Sequence, residues 1–434
     1  MMHVVIVGGG IAGLAAAMEL RKLDKSVGIT VLERQKRTGY APCALPYVIA
    51  GGIKKENIFY ASKERLDGES IGLITEAEVT KLDRKTRTVF YTYKGKEKTI
   101  AYDRLVLATG SKPHDPGIPG LKEWLAFRRL GDAERIMASR GSRAVIIGGG
   151  FSGVELSAAL KMKVTLLECA ENLIPYALDK DTGGMLTEHL SSMGVDVRTG
   201  CKIQKASASH VICDGDRLFC DLLVVTSGVK PDVSLALDAG LECGERIAVD
   251  DHMRTSDRSV FAIGECAQSR DFYTGGAAVS NSAVTAVRQA GVAASNIAGM
   301  RAKMSPPLNA TVSVIGGLYL GSVGMTEREA RAHGVKAVSA LYRGVDKAEY
   351  HPEAGDVRVK LIADRKGRVL GGQFLGTSNV AGMVDTLSLA IGKGFTLRDL
   401  VNSETCYNPA VANIHHPLTI AAEVCLKKLE HSRR

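Results

Sequence analysis

Cys43 stands in a segment whose composition suits sulfur chemistry. The segment TGYAPCALPYVIAGG, residues 38–52, places this cysteine between two prolines and two tyrosines. A thiol there can be a buried side chain, half of a disulfide, or a nucleophile whose thiolate attacks another sulfur atom. The chain has nine cysteines, with no Cys-x-x-Cys pair and no cysteine–histidine cluster at metal-ligand spacing. The odd number argues against a disulfide scaffold, so we expect most of them to be plain buried thiols.

A glycine-rich loop near the N-terminus predicts a dinucleotide site. The stretch HVVIVGGGIAG, residues 3–13, is typical of an apolar strand that runs into Gly8, Gly10 and Gly13. An alanine-rich helical stretch follows, and a second strand, ITVLE, ends at Glu33. The glycines allow a tight turn, close approach of the backbone to a pyrophosphate and close helix packing, while the helix N-terminus faces the phosphates. The acid at the end of the second strand binds a ribose hydroxyl, so Glu33 is a predicted ligand.

The same pattern recurs in residues 143–168, RAVIIGGGFSGVELSAALKMKVTLLE. This segment carries Gly148, Gly150 and Gly153 and ends at Glu168. It is about three residues shorter than the usual motif, so we expect a short helix. Two such units predict two dinucleotides between which electrons pass, and a degenerate duplicate of the first site is the alternative.

The residues after Glu168 favour NADH over NADPH. Cys169 and Ala170 stand where an arginine would accommodate a 2′-phosphate. That phosphate would instead meet a carboxylate and no cation. A distant basic side chain leaves NADPH possible.

Composition and charge narrow the class of protein. A chain of 434 residues is too long for one ordinary core and predicts two or three domains. The excess of Lys and Arg over Asp and Glu is 56 − 47 = 9, which suits anionic ligands such as coenzymes. Only 5% of residues are aromatic and no basic tail is present, which argues against a nucleic-acid platform. No apolar run reaches the roughly 18 residues that span a bilayer, and the N-terminus lacks the basic region of a signal peptide. We therefore expect a cytoplasmic protein without a membrane span.

Two further segments carry a family resemblance. DRLVLATGSKP, residues 103–113, and RSVFAIGECAQ, residues 258–268, resemble the strands that complete the FAD domain of flavoproteins with two dinucleotide sites. The order of all these motifs resembles the pyridine nucleotide–disulfide oxidoreductase family over nearly the whole chain. The resemblance implies an α/β fold with two Rossmann-like domains and a C-terminal α+β dimerisation domain. The implied boundaries are 1–113 with 240–303 for FAD, 114–239 for NAD(P)H, and 304–434 for dimerisation.

The resemblance also assigns cofactor contacts. Glu265 follows Gly264 where the family usually has aspartate, so its carboxylate is one methylene further from the backbone. Phe151 matches an aromatic gate over the nicotinamide pocket, with core packing as the alternative, and Glu155 is an implied NADH contact. The implied FAD contacts beyond the first loop and Glu33 are Arg34, Val79, Thr109, Gly110, Arg128, Gly264 and Glu265.

The branch of the family follows from Cys43. Members with a reducible disulfide have a second cysteine five positions later, where this chain has Val48. APCALPY resembles instead the single-cysteine branch, especially coenzyme A disulfide reductases. The resemblance implies that Cys43 alternates between a thiolate and a mixed disulfide with CoA, with electrons coming from NADH by way of FAD. Tyr350 and Tyr407 match tyrosines that reach across a homodimer and assist the leaving thiolate.

Several alternatives remain open. CoA disulfide is the favoured substrate, and CoA persulfide, polysulfide or elemental sulfur would use the same thiol. The absence of a C-terminal rhodanese domain mildly favours the disulfide. Lys22 and Arg65 are candidate contacts for CoA phosphates, and Cys406 could pair with Cys43 of a partner subunit. A membrane-surface quinone reductase and a flavin-bound redox sensor are hypotheses of other classes.

Ile11 bears on a further activity of the family. NADH peroxidases and oxidases of the single-cysteine branch typically have histidine at this position in the first glycine loop. The isoleucine argues against either as the main activity.

The C-terminal third alternates strand-like and helical runs. NATVSVIGG, DVRVKLIAD and RVLGGQFLG have the β-branched and apolar content of strands. MTEREARAHG and VDTLSLAIGKG are typical of helices. This alternation agrees with a mixed α/β dimerisation domain.

Overall fold

The computed structural model describes residues 1–378 and 380–431. These residues fall into two compact units. The first unit contains Met1–His114 and Val229–Pro307, and the second contains Asp115–Gly228 and the described part of Leu308–Arg434.

Helices and strands occur in every part of the chain. In residues 1–114 they are β1 His3–Val7, α1 Ile11–Leu23, β2 Gly28–Glu33, α2 Leu45–Ala50, α3 Lys63–Gly68, β3 Ile71–Thr75, β4 Ala77–Asp83, β5 Thr88–Tyr93, β6 Lys96–Ala101, β7 Arg104–Leu107 and β8 Ser111–Pro113. In residues 115–228 they are β9 Leu125–Ala126, α4 Leu130–Ala138, β10 Arg143–Ile147, α5 Phe151–Ala159, β11 Lys163–Leu167, α6 Lys180–Ser192, β12 Asp196–Arg198, β13 Ile203–Ser207, β14 His210–Cys213, β15 Asp216–Phe219 and β16 Leu222–Val225. In residues 229–307 they are β17 Val229–Pro231, α7 Ser234–Asp238, β18 Val260–Ala262, β19 Ser269–Arg270, β20 Ala277–Ala278 and α8 Ala283–Ile297. From residue 308 they are β21 Thr311–Ile315, β22 Leu318–Gly324, α9 Glu327–Ala332, β23 Ala337–Val345, β24 Asp356–Asp364, β25 Val369–Gly376, α10 Val380–Gly392, α11 Leu397–Val401 and α12 Pro417–His431.

A parallel sheet forms the centre of the first unit. Its strand order is β18-β7-β1-β2-β3, and every neighbouring pair is parallel. The central strands β1 and β7 are almost wholly buried, as expected when helices cover a parallel sheet. Helices α1 and α8 pack together beside it, with Leu14, Leu20 and Ala290 in one apolar cluster. The antiparallel sheet β4-β5-β6 joins β3 to β7.

The second unit repeats this plan in its first half. The parallel order β12-β11-β10-β16-β9 corresponds strand by strand to the first sheet, and an antiparallel sheet β13-β14-β15 again lies between two of its strands in the chain. Helix α5 has nine residues against thirteen in α1, in agreement with the short segment in the sequence. The predicted α/β class with two Rossmann-like folds is confirmed.

The rest of the second unit is built on an antiparallel sheet. Its order is β21-β22-β25-β24-β23, with α10 against β22 and β25 and α12 against β23 and β24. Three of the strands and two of the helices were expected from the sequence, whereas β22 and β23 were not. Their alternation is interrupted by glycine or polar residues, which weakens the periodic pattern.

The second segment of the first unit begins at Val229. Strand β17 pairs with β8, and this pairing holds residues 229–231 to the first unit, so that its return segment begins eleven residues before the expected start at residue 240. The three-domain boundaries remain a prediction. Among the described residues, no helix is long and apolar enough to cross a membrane.

Candidate active site

The first glycine loop has the shape that a pyrophosphate requires. Gly8 has φ +109°, and a Cβ there would lie 2.2 Å from the carbonyl oxygen of Ala108. A Cβ on Gly13 would lie 1.9 Å from the oxygen of Gly8, so the backbone of the helix packs directly on the turn and leaves no room for a side chain. Beside Gly10 there is no heavy atom within 4 Å. This open space at the uncapped N-terminus of α1 fits a dinucleotide phosphate.

The second glycine loop repeats these contacts. Gly148 has φ +113° and would place a Cβ 2.6 Å from the oxygen of Thr226, while a Cβ on Gly153 would lie 1.9 Å from the oxygen of Gly148. Beside Gly150 the nearest atom is the hydroxyl oxygen of Tyr176, at 3.4 Å from a Cβ. This loop therefore also fits a phosphate group.

The two predicted ribose-binding acids are held in matching ways. Glu33 is buried, and its two carboxylate oxygens accept hydrogen bonds from the N–H groups of Gly9 and Gln35, both at 2.7 Å. Glu168 is buried and accepts from the N–H groups of Gly149 at 2.6 Å and Ala170 at 2.8 Å. Hydrogen bonds thus fix each acid at the carboxyl end of its strand, beside its own glycine loop.

Phe151 and Glu155 lie on one face of α5. Phe151 is half-buried, and its ring centroid is 6.0 Å from that of Tyr176, whose hydroxyl accepts the Phe151 N–H at 3.3 Å. The sequence analysis missed Tyr176, since nothing in its local pattern distinguishes it from other aromatics. Glu155 follows one turn later, and burial raises the pKa of its carboxyl.

Asp232 gathers several of the predicted FAD contacts and was missed by the sequence analysis. Its carboxylate lies 3.6 Å from Arg34 Nη1 and 2.9 Å from Lys112 Nζ. Its carbonyl accepts a hydrogen bond from the Thr109 hydroxyl at 2.6 Å, and its N–H donates to the Gly110 carbonyl at 2.9 Å. Strand pairing between β8 and β17 brings these residues together across more than a hundred positions.

The remaining predicted FAD contacts are spread over other elements. Glu265 accepts a 2.5 Å hydrogen bond from the Ser111 hydroxyl, and Gly264 has φ +75° and donates its N–H to Gln289. Val79 lies in β4 and packs against a buried apolar cluster of the first unit. Arg128 belongs to the second unit, where its N–H donates to Asp132 just before α4.

Cys43 is exposed on a well-anchored turn. It is the central residue of the 3₁₀ turn Pro42–Ala44, directly before the six-residue helix α2. The following Leu45, Pro46 and Val48 are buried and fix the turn to the unit. All nine cysteines are thiols, and Cys43 is one of three that are exposed. The Cys43 side chain is therefore exposed on a turn whose following residues are buried.

Lys22 and Arg65 already have contacts of their own. The Lys22 ammonium lies 3.2 Å from Glu19 on the exposed face of α1. Arg65 Nη1 donates to the Tyr60 carbonyl at 2.8 Å. Their predicted contact with CoA phosphates stays a prediction.

The structure places Tyr350 and Tyr407 side by side. Their hydroxyl oxygens are 3.2 Å apart, although 57 positions separate them in the chain. Tyr350 is 76% and Tyr407 48% exposed, so neither is a core side chain. The hydrogen bond to Tyr350 raises the pKa of Tyr407. Cys406, beside Tyr407, is an exposed thiol.

Comparison with known proteins identifies the family. Residues 2–290 match the pyridine nucleotide-disulphide oxidoreductase family, and residues 311–417 match its dimerisation domain. This chain belongs to that family. The match confirms a flavin-dependent NAD(P)H oxidoreductase with FAD and NAD(P)H as cofactors, and the dimerisation domain supports a homodimer.

Three similar proteins show the range of activities near this chain. The NADH oxidase of Methanocaldococcus jannaschii is 34% identical and aligns over 99% of this chain and 100% of its own. The NAD(P)H coenzyme A polysulfide/persulfide reductase of Pyrococcus horikoshii is 30% identical over 97% of this chain and 98% of its own. The solved structure of an NAD-dependent persulfide reductase from A. fulgidus superposes with a TM-score of 0.96 and 32% identity, covering 99% of this chain and 84% of that one.

Proposed function

We propose that this oxidoreductase uses NAD(P)H to reduce the sulfur–sulfur bond of a CoA-linked substrate, with Cys43 as the attacking thiol. The observation that carries the proposal is the exposed Cys43 thiol on its anchored turn, with the buried Val48 at the position of a second cysteine. A single reactive thiol requires the substrate itself to supply the second sulfur of the mixed disulfide.

The chain's own residues account for the sulfur steps. The Cys43 thiolate attacks one sulfur of the substrate R–S–S–R′, a Cys43–S–S–R bond forms, and R′–S⁻ leaves and takes up a proton. Two electrons then cleave the mixed disulfide and return Cys43 to its thiolate, while R–S⁻ leaves as the second thiol. Bound FAD supplies the path by which a hydride equivalent from NAD(P)H becomes those two electrons.

The tyrosine pair is the proposed proton donor to the leaving sulfur. Both hydroxyls are exposed, and a phenol is protonated at neutral pH and so carries a proton to donate. In a homodimer these residues would act on the Cys43 of the partner subunit. The pairing of the two hydroxyls supports this shared role.

CoA persulfide or polysulfide is the substrate class that the relatives favour. The sequence analysis preferred CoA disulfide, yet the Pyrococcus relative reduces CoA-linked polysulfide or persulfide and the A. fulgidus structure is a persulfide reductase. All three substrates present a sulfur–sulfur bond to the same thiol, so one mechanism serves each. We propose the persulfide class first, NADH as the preferred donor because of Glu168, and a cytoplasmic enzyme.

Oxygen reduction is the second candidate function. It is favoured by the Methanocaldococcus relative, an NADH oxidase, and opposed by Ile11 in the first glycine loop. An NADH oxidase would consume NADH with oxygen alone and would need no CoA.

Anaerobic NADH consumption tests the proposal. The purified flavoprotein is offered CoA persulfide, polysulfide and CoA disulfide separately, and oxygen in a parallel aerobic arm. Cys43→Ser should lower turnover of every sulfur acceptor by at least about 10³-fold, while reduction of its flavin by NADH persists. Cys243→Ser, a half-buried thiol of the same unit, is the matched control. Full sulfur turnover by Cys43→Ser would refute the proposal, and turnover with oxygen alone would establish the oxidase.

A further inference from the structure

Two buried thiols and a carboxylate meet at one end of the hairpin β13-β14. Cys201 is 4% and Cys213 0% exposed, and both belong to the apolar cluster that also contains Leu167 and Val211. Their sulfur atoms and one carboxylate oxygen of Asp214 all lie within 4.8 Å of one another. None of the three residues has a part in the proposed reaction.

The backbone at Asp214 explains how neighbouring residues reach the same point. Adjacent side chains on a strand point to opposite faces. Asp214 has φ +52°, which ends the strand and turns its side chain back, so that one carboxylate oxygen lies 3.7 Å from Cys213 Sγ. The other oxygen accepts the Lys202 N–H at 3.0 Å. The hydrogen bond from the Lys202 backbone N–H thus holds the Asp214 carboxylate beside the two thiols.

We propose that Cys201, Cys213 and Asp214 bind one thiophilic divalent cation of the zinc class. Thiolate sulfur at about 2.3 Å and carboxylate oxygen at about 2.0–2.2 Å are the distances that zinc adopts in tetrahedral sites. Donor atoms around such an ion are separated by roughly 3.5–3.8 Å, so small side-chain rotations complete the site. Asp214 is exposed, so the ion enters from solvent and a water molecule completes its coordination.

The proton balance distinguishes this site from an oxidisable cysteine pair. Binding of M²⁺ replaces the two thiol protons, releases 2 H⁺ and transfers no electrons. The site does not depend on the proposed function, since it belongs to the unit that does not contain Cys43.

Zinc titration of the flavoprotein tests the site. The exposed thiols of Cys43, Cys169 and Cys406 are first alkylated under native conditions, and Zn²⁺ alone is titrated in competition with a chromophoric chelator. We expect one ion per chain, with an apparent affinity that rises about 10- to 100-fold per pH unit because protons are released. Cadmium should give the ultraviolet absorption of two thiolates.

Three variants decide which residues bind. Cys213→Ser should weaken binding by at least about 100-fold, more than the loss of an outer partner costs, and Asp214→Asn by about 10-fold. Cys220→Ser removes another buried thiol of the same cluster and should leave binding unchanged. If Cys213→Ser does not fold, the exposed Asp214→Asn variant and the cadmium signal still decide. No stoichiometric uptake, or equal loss in Cys220→Ser, would overturn the proposal.

Discussion

The hydroxyl of Ser313 donates a 2.6 Å hydrogen bond to Oε1 of Glu155. Ser313 lies on β21, whereas Glu155 lies on α5 after the second glycine loop, so the bond joins the C-terminal sheet to the predicted NADH site. Burial raises the pKa of Glu155, and the Ser313 hydroxyl opposes part of that rise by stabilising the carboxylate. Ser313 therefore holds the Glu155 carboxyl by a hydrogen bond and favours its charged form.

Ser313→Ala should weaken NADH binding most at low pH. Without its donor the pKa of Glu155 rises further, so the carboxylate is protonated at a higher pH than in the wild type. If NADH requires the carboxylate, its affinity at pH 6 should fall about 10-fold, the equivalent of one charged hydrogen bond. NADH dissociation constants measured by fluorescence from pH 5.5 to 9 check this, with Ser313→Thr expected to restore the wild-type profile. A uniform loss across this range would assign Ser313 a structural role only.

The local motifs of the fold were predictable from the sequence, and their long-range partners were not. Each strand–loop–helix–strand unit is specified within about thirty residues, so Gly8 and Glu33 could be placed without a structure. Ser313 and Asp232 meet their partners across more than a hundred residues, and no periodicity records such a contact. The residue types gave no indication either, because serine and aspartate are common on any strand end or loop.

The tyrosine pair was predictable in part: the residues could be named from the sequence, but their contact could not. Tyr350 and Tyr407 were singled out through a family resemblance, and the structure adds the 3.2 Å contact between their hydroxyls. The metal-ligand search in the sequence required short spacing, so it passed over Cys201 and Cys213, which a hairpin brings together. Chain topology, rather than local pattern, positions such clusters.

Tyr350→Phe should move the ionisation of Tyr407 to lower pH. The hydrogen bond between the two hydroxyls raises the pKa of Tyr407, so its removal returns that pKa toward 10.0. The alkaline limb of kcat/KM for the sulfur substrate should shift down with it, and Tyr407→Phe should lower kcat/KM about 100-fold. Ultraviolet titration of tyrosinate and the pH–rate profile measure the two effects. Tyr319→Phe serves as the control, and an unmoved limb in Tyr350→Phe would contradict a proton-donating role.

Gly10→Ala should lower FAD affinity, whereas Gly13→Ala should prevent folding. Gly10 has φ −73° and open space beside it, so alanine fits the fold but occupies the approach of the FAD phosphate. The apoprotein should keep its stability within about 0.5 kcal/mol, with FAD affinity reduced about tenfold or more. Gly13→Ala brings a Cβ to 1.9 Å from the Gly8 oxygen and should prevent folding. Circular dichroism and urea unfolding of the apoproteins check folding and stability, and FAD titration of Gly10→Ala checks its affinity. Wild-type FAD affinity in Gly10→Ala would exclude a phosphate at this loop.

Lys360 is a buried cation that contacts one buried and two partly exposed carboxylates. Its ammonium lies 3.2 Å from Asp179, 2.7 Å from Asp181 and 2.8 Å from Glu327, and its side chain is only 4% exposed. Burial tends to raise the pKa of Glu327, but hydrogen bonds from Lys360 and Ser339 outweigh it and lower that pKa below the ordinary 4.5. A lowered pKa in the folded state means that this stabilisation is present above pH 4.5 and is lost as the pH falls through the folded value.

Lys360→Met should therefore destabilise the protein most near neutral pH. Removal of the cation leaves three carboxylates facing an apolar side chain, which costs about 3–5 kcal/mol at pH 7. Without Lys360 the pKa of Glu327 is no longer held as low, so toward pH 4 this carboxyl takes up a proton and the difference from wild type should shrink. Urea unfolding at several pH values measures the loss in free energy of unfolding. Lys180→Met is the control, because the exposed ion pair of Lys180 with Glu171 should contribute less than about 1 kcal/mol. An equal deficit at pH 4 and pH 7 would show that Lys360 acts through packing rather than charge.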